Sequence, residues 1–303
     1  MAFMRNIHDL ADLITRHAPT DGVTATAMAR ASLVRSAKPT MPMPTTYAAS
    51  FCLVAQGAKE AQIGEDRHIY DAETYLICAV DLPVTGAVVE ASAERPYLCL
   101  CLELDLETLA DLIAAEPATD ATGGDAPAGL QLVSSPPEMI DAAARLLALL
   151  DSPQDAASLA PLTERELLWR LLQSPAGAML RSAVDSESRL GRIARAVRYL
   201  RARFAEPVSV EQLAGVAGMS PSSFHQHFKQ VTGQSPLRFR TLLRLQHARR
   251  LMLANAMEAA AAGYEAGYAS PSQFSRDYVR EFGVPPRQDI VRLRATGGLP
   301  EVA

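Results

Sequence analysis

The chain has 303 residues, of which 49% are hydrophobic and 21% are charged, and its formal net charge is −5. A chain of this length and apolar content buries a core and fits two domains of roughly 150 residues each, which excludes disordered, collagen-like and coiled-coil proteins. No apolar stretch approaches the roughly 18 residues that a membrane span needs, and residues 1–9 lack a signal peptide's apolar segment, so we expect a cytoplasmic protein with no membrane partner.

The N-terminal part is predicted to form a short helix at about 6–17 and then a strand-rich region at about 24–104. Two-residue alternation and turn signals give this region the strand spacing of an antiparallel barrel or sandwich. In the last strand, leucines alternate with Tyr97, Cys99 and Cys101, so one face should line the interior. The predicted strands are 47–55, 58–63, 67–70, 74–80, 85–91 and 96–104.

All four cysteines lie in this region, with no CxxC pair: Cys52, Cys78, Cys99 and Cys101. Their number and spacing do not fit a disulfide framework or a zinc site, so reduced thiols are the default. We favour simple packing, because cysteine is among the most buried residue types and the nearest charges, Glu103 and Asp105, are acidic and would raise a thiol pKa. The alternative is that these thiols sense oxidants or electrophiles.

Residues 105–187 are predicted to be helical at about 106–115, 137–150, 159–173 and 175–184, with a break at 117–129. Their leucines, together with Trp169, exceed what one helix face needs for a local core. Packing against the strands explains part of this excess. A dimer formed through these helices is the second interpretation.

The acidic and basic residues are distributed unevenly along the chain. Residues 1–187 carry 12 Lys and Arg against 26 Asp and Glu, a net charge of −14, whereas residues 188–294 carry 17 against 7, a net charge of +10. This asymmetry is typical of a polyanion-binding domain attached to an acidic partner domain, although solvated arginines on ordinary surface helices would also produce it.

The basic part contains an internal repeat. Ala217-Gly218-Met219-Ser220-Pro221-Ser222 and Ala266-Gly267-Tyr268-Ala269-Ser270-Pro271-Ser272 place two Ser-Pro-Ser triplets 50 residues apart. In each copy a glycine is suited to end one helix, and a Ser N-cap followed by Pro is suited to start the next. Two helices joined by such a turn form a helix-turn-helix, with first helices at about 210–217 and 258–266 and second helices at about 221–231 and 271–282.

The second helices are predicted to bury aromatic residues and to expose donor-rich side chains. Such side chains read base edges and grip phosphates, whereas the alternative is an ordinary solvated helix face. Between the copies, 236–254 is predicted to be one helix of about 28 Å, comparable to the roughly 34 Å between successive major grooves. The exposed side chains are Ser222, His225, Gln226 and Lys229 in the first copy and Ser272, Gln273, Ser275, Arg276 and Arg280 in the second; the linking helix is predicted to bury Leu237 and to expose Arg238, Arg240, Arg244, Arg249 and Arg250.

Further ordered motifs run from Leu190 to Arg292. They are Val208-Ser209-Val210-Glu211-Gln212-Leu213-Ala214, Pro236-Leu237-Arg238-Phe239, Leu245-Gln246-His247-Ala248-Arg249-Arg250-Leu251 and Phe282-Gly283-Val284-Pro285-Pro286. Together they resemble the AraC/XylS family of bacterial transcriptional regulators. Gly263 departs from the family's usual Ala, and a helix-interior Gly costs roughly 1 kcal/mol relative to Ala.

Three N-terminal segments extend the resemblance over nearly the whole chain. Ser50-Phe51-Cys52-Leu53-Val54-Ala55-Gln56-Gly57, Asp81-Leu82-Pro83-Val84-Thr85-Gly86 and Leu149-Leu150-Asp151-Ser152-Pro153 are similar to the cupin-like effector domain of one AraC branch. The resemblance implies an α+β protein of two domains. Residues 1–187 would form a cupin-like antiparallel β-barrel with flanking helices that senses an effector and dimerises, residues 188–294 an all-α domain with two helix-turn-helix units joined by a long helix, and 295–303 a flexible tail.

The resemblance also implies a function: a sequence-specific DNA-binding transcriptional regulator, an activator as most of the family are, that responds to a small-molecule effector. The implied partners are double-stranded promoter DNA, the effector, RNA polymerase and a second copy of the chain. The expected base contacts are Ser222, His225, Gln226, Ser272, Gln273, Ser275 and Arg276; the expected phosphate contacts are Lys229, Arg238, Arg240, Arg244, Arg280 and Arg287; and the expected effector pocket is Phe51, Cys52, Tyr75, Cys78, Tyr97, Cys99 and Cys101.

Two other functions remain open. A metal-dependent cupin enzyme attached to a DNA anchor is disfavoured, because such sites need clustered His and Glu ligands and the strand region offers only His68. We therefore expect no catalytic residue, no metal and no cofactor. An architectural DNA binder would need no effector, and its affinity for DNA would not change with any ligand.

Overall fold

The computed structural model describes residues 4–116 and 129–296. Most of the break predicted at 117–129, and the tail predicted at 295–303 apart from its first two residues, lie outside the described residues. Ten strands lie in the N-terminal part. They are β1 (Gly22–Ala25), β2 (Ala31–Ser36), β3 (Met43–Tyr47), β4 (Ser50–Gln56), β5 (Ala58–Ile63), β6 (Asp66–Asp71), β7 (Thr74–Cys78), β8 (Leu82–Glu90), β9 (Tyr97–Glu103) and β10 (Leu130–Ser134).

These strands form two antiparallel sheets. The larger sheet has the order β1-β2-β9-β4-β7-β10 and the smaller has the order β3-β8-β5-β6. In the described part of the chain no ladder joins the edges of the two sheets, so the strands do not close into the barrel implied by the family resemblance. Instead, buried side chains between the layers hold the sheets together, as in a sandwich. Alternation along a strand is the same in both architectures, which is why spacing alone left both open.

Twelve helices complete the described chain. Helix α1 packs on β2, β4 and β9 of the larger sheet, and α3 and α4 continue the layer that begins with α1. The larger sheet is therefore covered on both faces, by the smaller sheet and by helices. The helices are α1 (Ile7–His17), α2 (Leu106–Ala115), α3 (Pro137–Ala148), α4 (Pro153–Gln173), α5 (Gly177–Val184), α6 (Arg189–Ala202), α7 (Val210–Ala217), α8 (Pro221–Thr232), α9 (Pro236–Ala254), α10 (Ala259–Glu265), α11 (Pro271–Phe282) and α12 (Pro286–Thr296).

Helix α9 connects two cores in the C-terminal part. Phe239 and Leu243 belong to the core that includes α6, α7 and α8. Leu245 and Met252 belong to a second core, shared with α10, α11 and α12. The predicted pattern on α9 was wrong at Leu237, which is 55% exposed, and at Arg249, which is buried, and Arg240 and Arg244 are half-buried instead of exposed. Each half of the helix thus carries one of the two repeated units.

Direct contacts join the sheets to the C-terminal helices. Arg201 of α6 forms an ion pair of 2.6 Å with Asp81, which lies between β7 and β8. The Thr46 hydroxyl of β3 donates a hydrogen bond to the buried Gln246 of α9. The backbone N–H of Gly129 donates to the carbonyl oxygen of Val231 in α8. A change within the sheets therefore has a physical route to both α8 and α9.

Candidate nucleic-acid interface

The first helix-turn-helix is built from α7, α8 and the turn between them. A capping box between Ser209 and Gln212 starts α7, and Gly218 ends it in the left-handed conformation at φ 63°. The Ser220 side chain then accepts a hydrogen bond from the backbone N–H of Ser223, and Pro221 occupies the first helical position of α8. Because these signals are local, the sequence predicted this unit closely.

The second unit repeats the arrangement with α10 and α11, and two glycines allow its close packing. Gly267 has φ +86°, and a Cβ there would overlap the carbonyl oxygen of Ala205. A Cβ on Gly263 would lie 2.9 Å from the Phe274 ring. The glycine at position 263 therefore lets α10 approach the core aromatic of α11, which accounts for its departure from the family pattern.

The two second helices present matching faces. Phe224 and Phe228 of α8, and Phe274 and Tyr278 of α11, are fully buried with ring centroids 5.3 and 5.4 Å apart in the two pairs. The opposite face, at helical spacings of three and four residues, points to solvent in both helices. Every residue predicted to contact bases is exposed: Ser222, His225 and Gln226 on α8, and Ser272, Gln273, Ser275 and Arg276 on α11.

Three of the residues predicted to contact phosphates, Lys229, Arg280 and Arg287, lie where a nucleic acid could reach them. Lys229 is exposed on α8. Arg280 pairs with Asp277 at 2.7 Å, and Arg287 pairs with Glu258 at 2.5 Å, both on the surface. Exposed ion pairs of this kind contribute little and exchange readily for another anion. Arg238 is half-buried and forms an ion pair with Glu281 of α11.

Arg240 and Arg244 differ from the prediction. Arg244 donates from Nε to the carbonyl oxygen of Phe204 at 2.7 Å and from Nη2 to that of Ala205 at 2.9 Å. Arg240 donates to the same segment, at the carbonyl oxygens of Phe204 and Glu206. Burial lowers the pKa of both guanidinium groups. Because their donors hold the turn after α6, the two side chains support the fold instead of facing phosphates.

We therefore expect Arg244→Ala to lower the free energy of unfolding by about 1–2 kcal/mol, because it removes the donor of the Ala205 carbonyl oxygen and one of the two donors of the Phe204 carbonyl oxygen. Thermal or urea unfolding of the full chain measures this loss. The affinity of the Arg244→Ala variant for random DNA, measured at a temperature where the variant is folded, should depend on salt concentration with the same slope as that of the wild type. If the variant is as stable as the wild type and the slope of its DNA affinity against salt is reduced by about one, Arg244 contacts a phosphate after all.

A buried ion pair in the second unit was not predicted from sequence. Arg249 of α9 donates from Nε to Asp289 Oδ2 at 2.8 Å and from Nη2 to Oδ1 at 3.2 Å. The Tyr278 hydroxyl of α11 donates to the same Oδ2 at 2.7 Å. Burial, and then the Asp289 charge, raise the pKa of Tyr278, so that its hydroxyl remains a donor. The three side chains tie together α9, α11 and α12.

The residues predicted for the effector pocket do not share one cavity. In the ladder between β4 and β7, Cys52 lies opposite Leu76, and both side chains are on one face of the larger sheet. Phe51 and Tyr75 are on the other face, where their ring centroids are 5.1 Å apart. The other five predicted residues share the face of the larger sheet that points toward the smaller sheet: Cys52, Cys78, Tyr97, Cys99 and Cys101. All seven predicted residues are buried in a packed core.

Comparison with known proteins gives the family of this chain. A family model described as the AraC-type transcriptional regulator N-terminus matches residues 27–179, and a helix-turn-helix domain model matches residues 213–290. The chain belongs to the AraC-type transcriptional regulators. This family is one of transcription regulators, and no helix among the described residues is both long and apolar enough to span a membrane.

Individual relatives of this AraC-type regulator match over parts of their length. The RCS-specific HTH-type transcriptional activator RclR of Escherichia coli K12 is 41% identical over 86 residues, which is 28% of this chain and 30% of RclR. The HTH-type transcriptional activator RhaS of Escherichia fergusonii is 29% identical over 146 residues, which is 48% of this chain and 51% of RhaS. The chain thus spans about half or less of these curated relatives.

Among solved structures, this AraC-type regulator is similar in fold to unsaturated fatty acid-bound ToxT from Vibrio cholerae. The TM-score is 0.59 at 10% sequence identity, and the match covers 86% of this chain and 93% of ToxT. The similarity therefore extends across both the sheets and the helix-turn-helix units. At this identity it establishes the fold.

Proposed function

We propose that this protein is a sequence-specific DNA-binding transcriptional regulator in which α8 and α11 read two adjacent major grooves. The observation that carries the proposal is the pair of exposed donor-rich faces, which recur 50 residues apart on the same helical positions. Helix α9 has 19 residues and is therefore about 28 Å long, close to the roughly 34 Å between successive grooves. The phosphate contacts that remain in the proposal are the exposed Lys229, Arg280 and Arg287, because the half-buried Arg238 is paired with Glu281.

We further propose that residues 1–187 form the sensing domain and residues 188–294 the DNA-binding domain of a cytoplasmic, non-enzymatic activator. RclR and RhaS are both named activators, which supports activation and RNA polymerase as a partner. ToxT, of similar fold, was solved with a bound unsaturated fatty acid, which supports a small-molecule effector. An effector that binds one arrangement of the domains more tightly would shift α6, α9 and α8 through the contacts at Asp81, Thr46 and Gly129, respectively.

Selection of bound duplexes from a random-sequence library tests this proposal directly. The full chain should enrich a pair of short half-sites about 10 base pairs apart, and its affinity should fall steeply with salt. The double variant Gln226→Ala/Arg276→Ala keeps the phosphate-contacting residues and should bind without enrichment. No enrichment by the wild type would favour an architectural DNA binder.

Helix α4 offers a surface for a proposed homodimer. Leu159, Leu162 and Trp169 follow one face of the helix and are 44%, 64% and 42% exposed. Exposed apolar side chains that share a helix face are typical of a contact with a second copy. In this arrangement each dimer would carry two pairs of helix-turn-helix units.

Leu162→Glu should weaken this dimer by at least about tenfold, because it places a charge in an apolar contact. Sedimentation of the full chain over a range of concentrations measures the change. Leu237→Glu is the matched control, since Leu237 is also an exposed leucine but lies on α9. A wild type that sediments as a monomer, or an equal loss in both variants, would rule out the α4 interface.

A further inference from the structure

Three thiols meet on the inner face of the larger sheet. Cys52 of β4 lies directly opposite Cys101 of β9 in the antiparallel ladder. Their Sγ atoms are 3.4 Å apart, and Cys99 Sγ lies 3.8 Å from Cys101 Sγ. All three are free, buried thiols. Cys99 and Cys101 lie two positions apart on β9, whereas the ladder places Cys52 of the neighbouring strand closer to Cys101.

Backbone geometry allows a bond between one pair in this cluster. Residues directly opposite in an antiparallel ladder have Cα atoms about 4.5–5.5 Å apart, inside the range of about 4.4–6.8 Å that disulfides occupy. Side-chain rotation can therefore bring the Cys52 and Cys101 sulfur atoms together without moving a strand. Cys99 and Cys101 are two positions apart on one strand, about 6.6 Å, which is near the limit of that range.

The charge around the cluster comes from the other sheet. Lys59 of β5 lines the same small cavity as Cys52 and Cys101, and its Nζ lies 5.0 Å from the centre of the Tyr47 ring. Burial acts to lower the pKa of Lys59, but the Tyr47 and Cys101 groups raise it further, so the side chain remains an ammonium. The sequence showed only Glu103 and Asp105 near these thiols.

The thiols do not ionise alike. The interactions with Cys101 and Cys99, with a smaller contribution from the Lys59 charge, hold the pKa of Cys52 well below its usual value despite burial. Burial raises the pKa of Cys78, which lies elsewhere on β7. The thiolate is the form that reacts with oxidants, and Cys52 both lines the small cavity and lies directly opposite Cys101, which places it to act as the attacking thiol.

Access to the cluster is narrow. The cavity beside Cys52 and Cys101 has a volume of about 20 Å³ and is also lined by Ser32 and by the exposed Glu103. A water molecule needs roughly 10–15 Å³ of such space, so the cavity excludes a bulky disulfide reagent and restricts access to the smallest oxidants.

We propose that Cys52 and Cys101 form an oxidation site for small two-electron oxidants of the peroxide class. The Cys52 thiolate attacks one peroxide oxygen, the O–O bond breaks, and sulfenic acid and hydroxide result; the hydroxide takes up the proton that Cys52 had released and becomes water. The Cys101 sulfur then attacks the Cys52 sulfur, the S–O bond breaks, and the departing hydroxide takes the Cys101 proton. Two thiols lose two electrons in all, and one peroxide becomes two waters.

The effect of this bond on DNA binding rests on the proposed function. Oxidation removes the thiolate charge that faces Lys59. Lys59 lies over Tyr47, and the neighbouring Thr46 donates the hydrogen bond to Gln246 of α9. The disulfide therefore changes the electrostatics at the strand that contacts the helix between the two DNA-reading units.

Treatment of the folded full chain with hydrogen peroxide, followed by peptide mapping without reduction, tests the site. We expect a single Cys52–Cys101 link, two thiols still free, and no reaction of the folded chain with a bulky aromatic disulfide. Cys52→Ser and Cys101→Ser should abolish the link, and Cys78→Ser should retain it. A link through Cys78 or Cys99, or four free thiols after treatment, would overturn the proposal. The peptide map of the wild type shows whether the Cys52–Cys101 link forms even if a variant fails to fold.

Affinity for an enriched duplex, measured before and after oxidation, tests the transmission to DNA. We expect a change in the wild type and in Cys78→Ser that a reductant reverses, and no change in Cys52→Ser. A fully formed disulfide with unaltered affinity would refute transmission. If the chain enriches no DNA sequence, the proposed function fails while the peptide map still decides the thiol site.

Discussion

Asp289→Ala is expected to lower the free energy of unfolding of the second helix-turn-helix unit by about 3–5 kcal/mol. The substitution removes the bidentate partner of Arg249, whose side chain is 6% exposed, and leaves its positive charge buried. It also removes the acceptor of the Tyr278 hydroxyl. Burying an unpaired charge costs several kcal/mol, and the remaining contact of Arg249 with the Phe282 ring at 4.4 Å does not replace the carboxylate.

Urea unfolding of the full chain, with hydrogen exchange to locate the loss, measures this effect. Protection should fall first in α11, α12 and the C-terminal half of α9. Glu258→Ala is the matched control, because it removes one carboxylate from an ion pair with Arg287 in which both side chains are more than two-thirds exposed. The control should cost about 0–1 kcal/mol. Equal effects of the two substitutions would show that the buried pair does not stabilise this unit.

The second large effect is on DNA recognition. Arg276→Ala should reduce affinity for the enriched duplex by about 1–3 kcal/mol, or about five- to 150-fold, and should relax the preference at one base position. The reason is that Arg276 is exposed on the face of α11 that is opposite the buried Phe274 and Tyr278. An arginine in that place can form a bidentate contact with a guanine.

Titrations of wild type and variants against the enriched duplex, single-base substitutions of it and a random duplex separate base reading from charge. Gln226 occupies the corresponding position in α8, so Gln226→Ala should relax the preference for one base in the other half-site. Lys229→Ala should instead weaken all duplexes alike and lower the salt slope by about one. A loss on the random duplex equal to that on the enriched one would remove Arg276 from the base-reading residues.

The elements that the sequence predicted best are those with local signals. The bounds of α2, α7, α9 and α11 agree with the prediction, because a side-chain N-cap starts α2, α7 and α9, Pro271 at the first helical position starts α11, and the glycines that follow α7 and α11 end them. The exposed and buried faces of α8 and α11 were also confirmed, since helical periodicity alone fixes them.

What the sequence did not show depends on contacts between distant residues. Strands β1, β2, β3 and β10 were not predicted from the sequence, and β10, for example, is ordered by its pairing with β7. The arginines of α9 looked alike along the chain, yet Arg244 binds the turn after α6 and Arg249 is buried against Asp289. The position of Lys59 beside the thiols likewise arises only when the two sheets pack.

The central claim is that one chain reads two successive major grooves through α8 and α11. Hydroxyl-radical footprinting of the full chain on an enriched duplex tests it most directly. The account predicts two protected patches on one face of the DNA, about 10 base pairs apart, with Gln226→Ala weakening one and Arg276→Ala weakening the other. A single patch per chain, or protection spread evenly along the duplex, would contradict it.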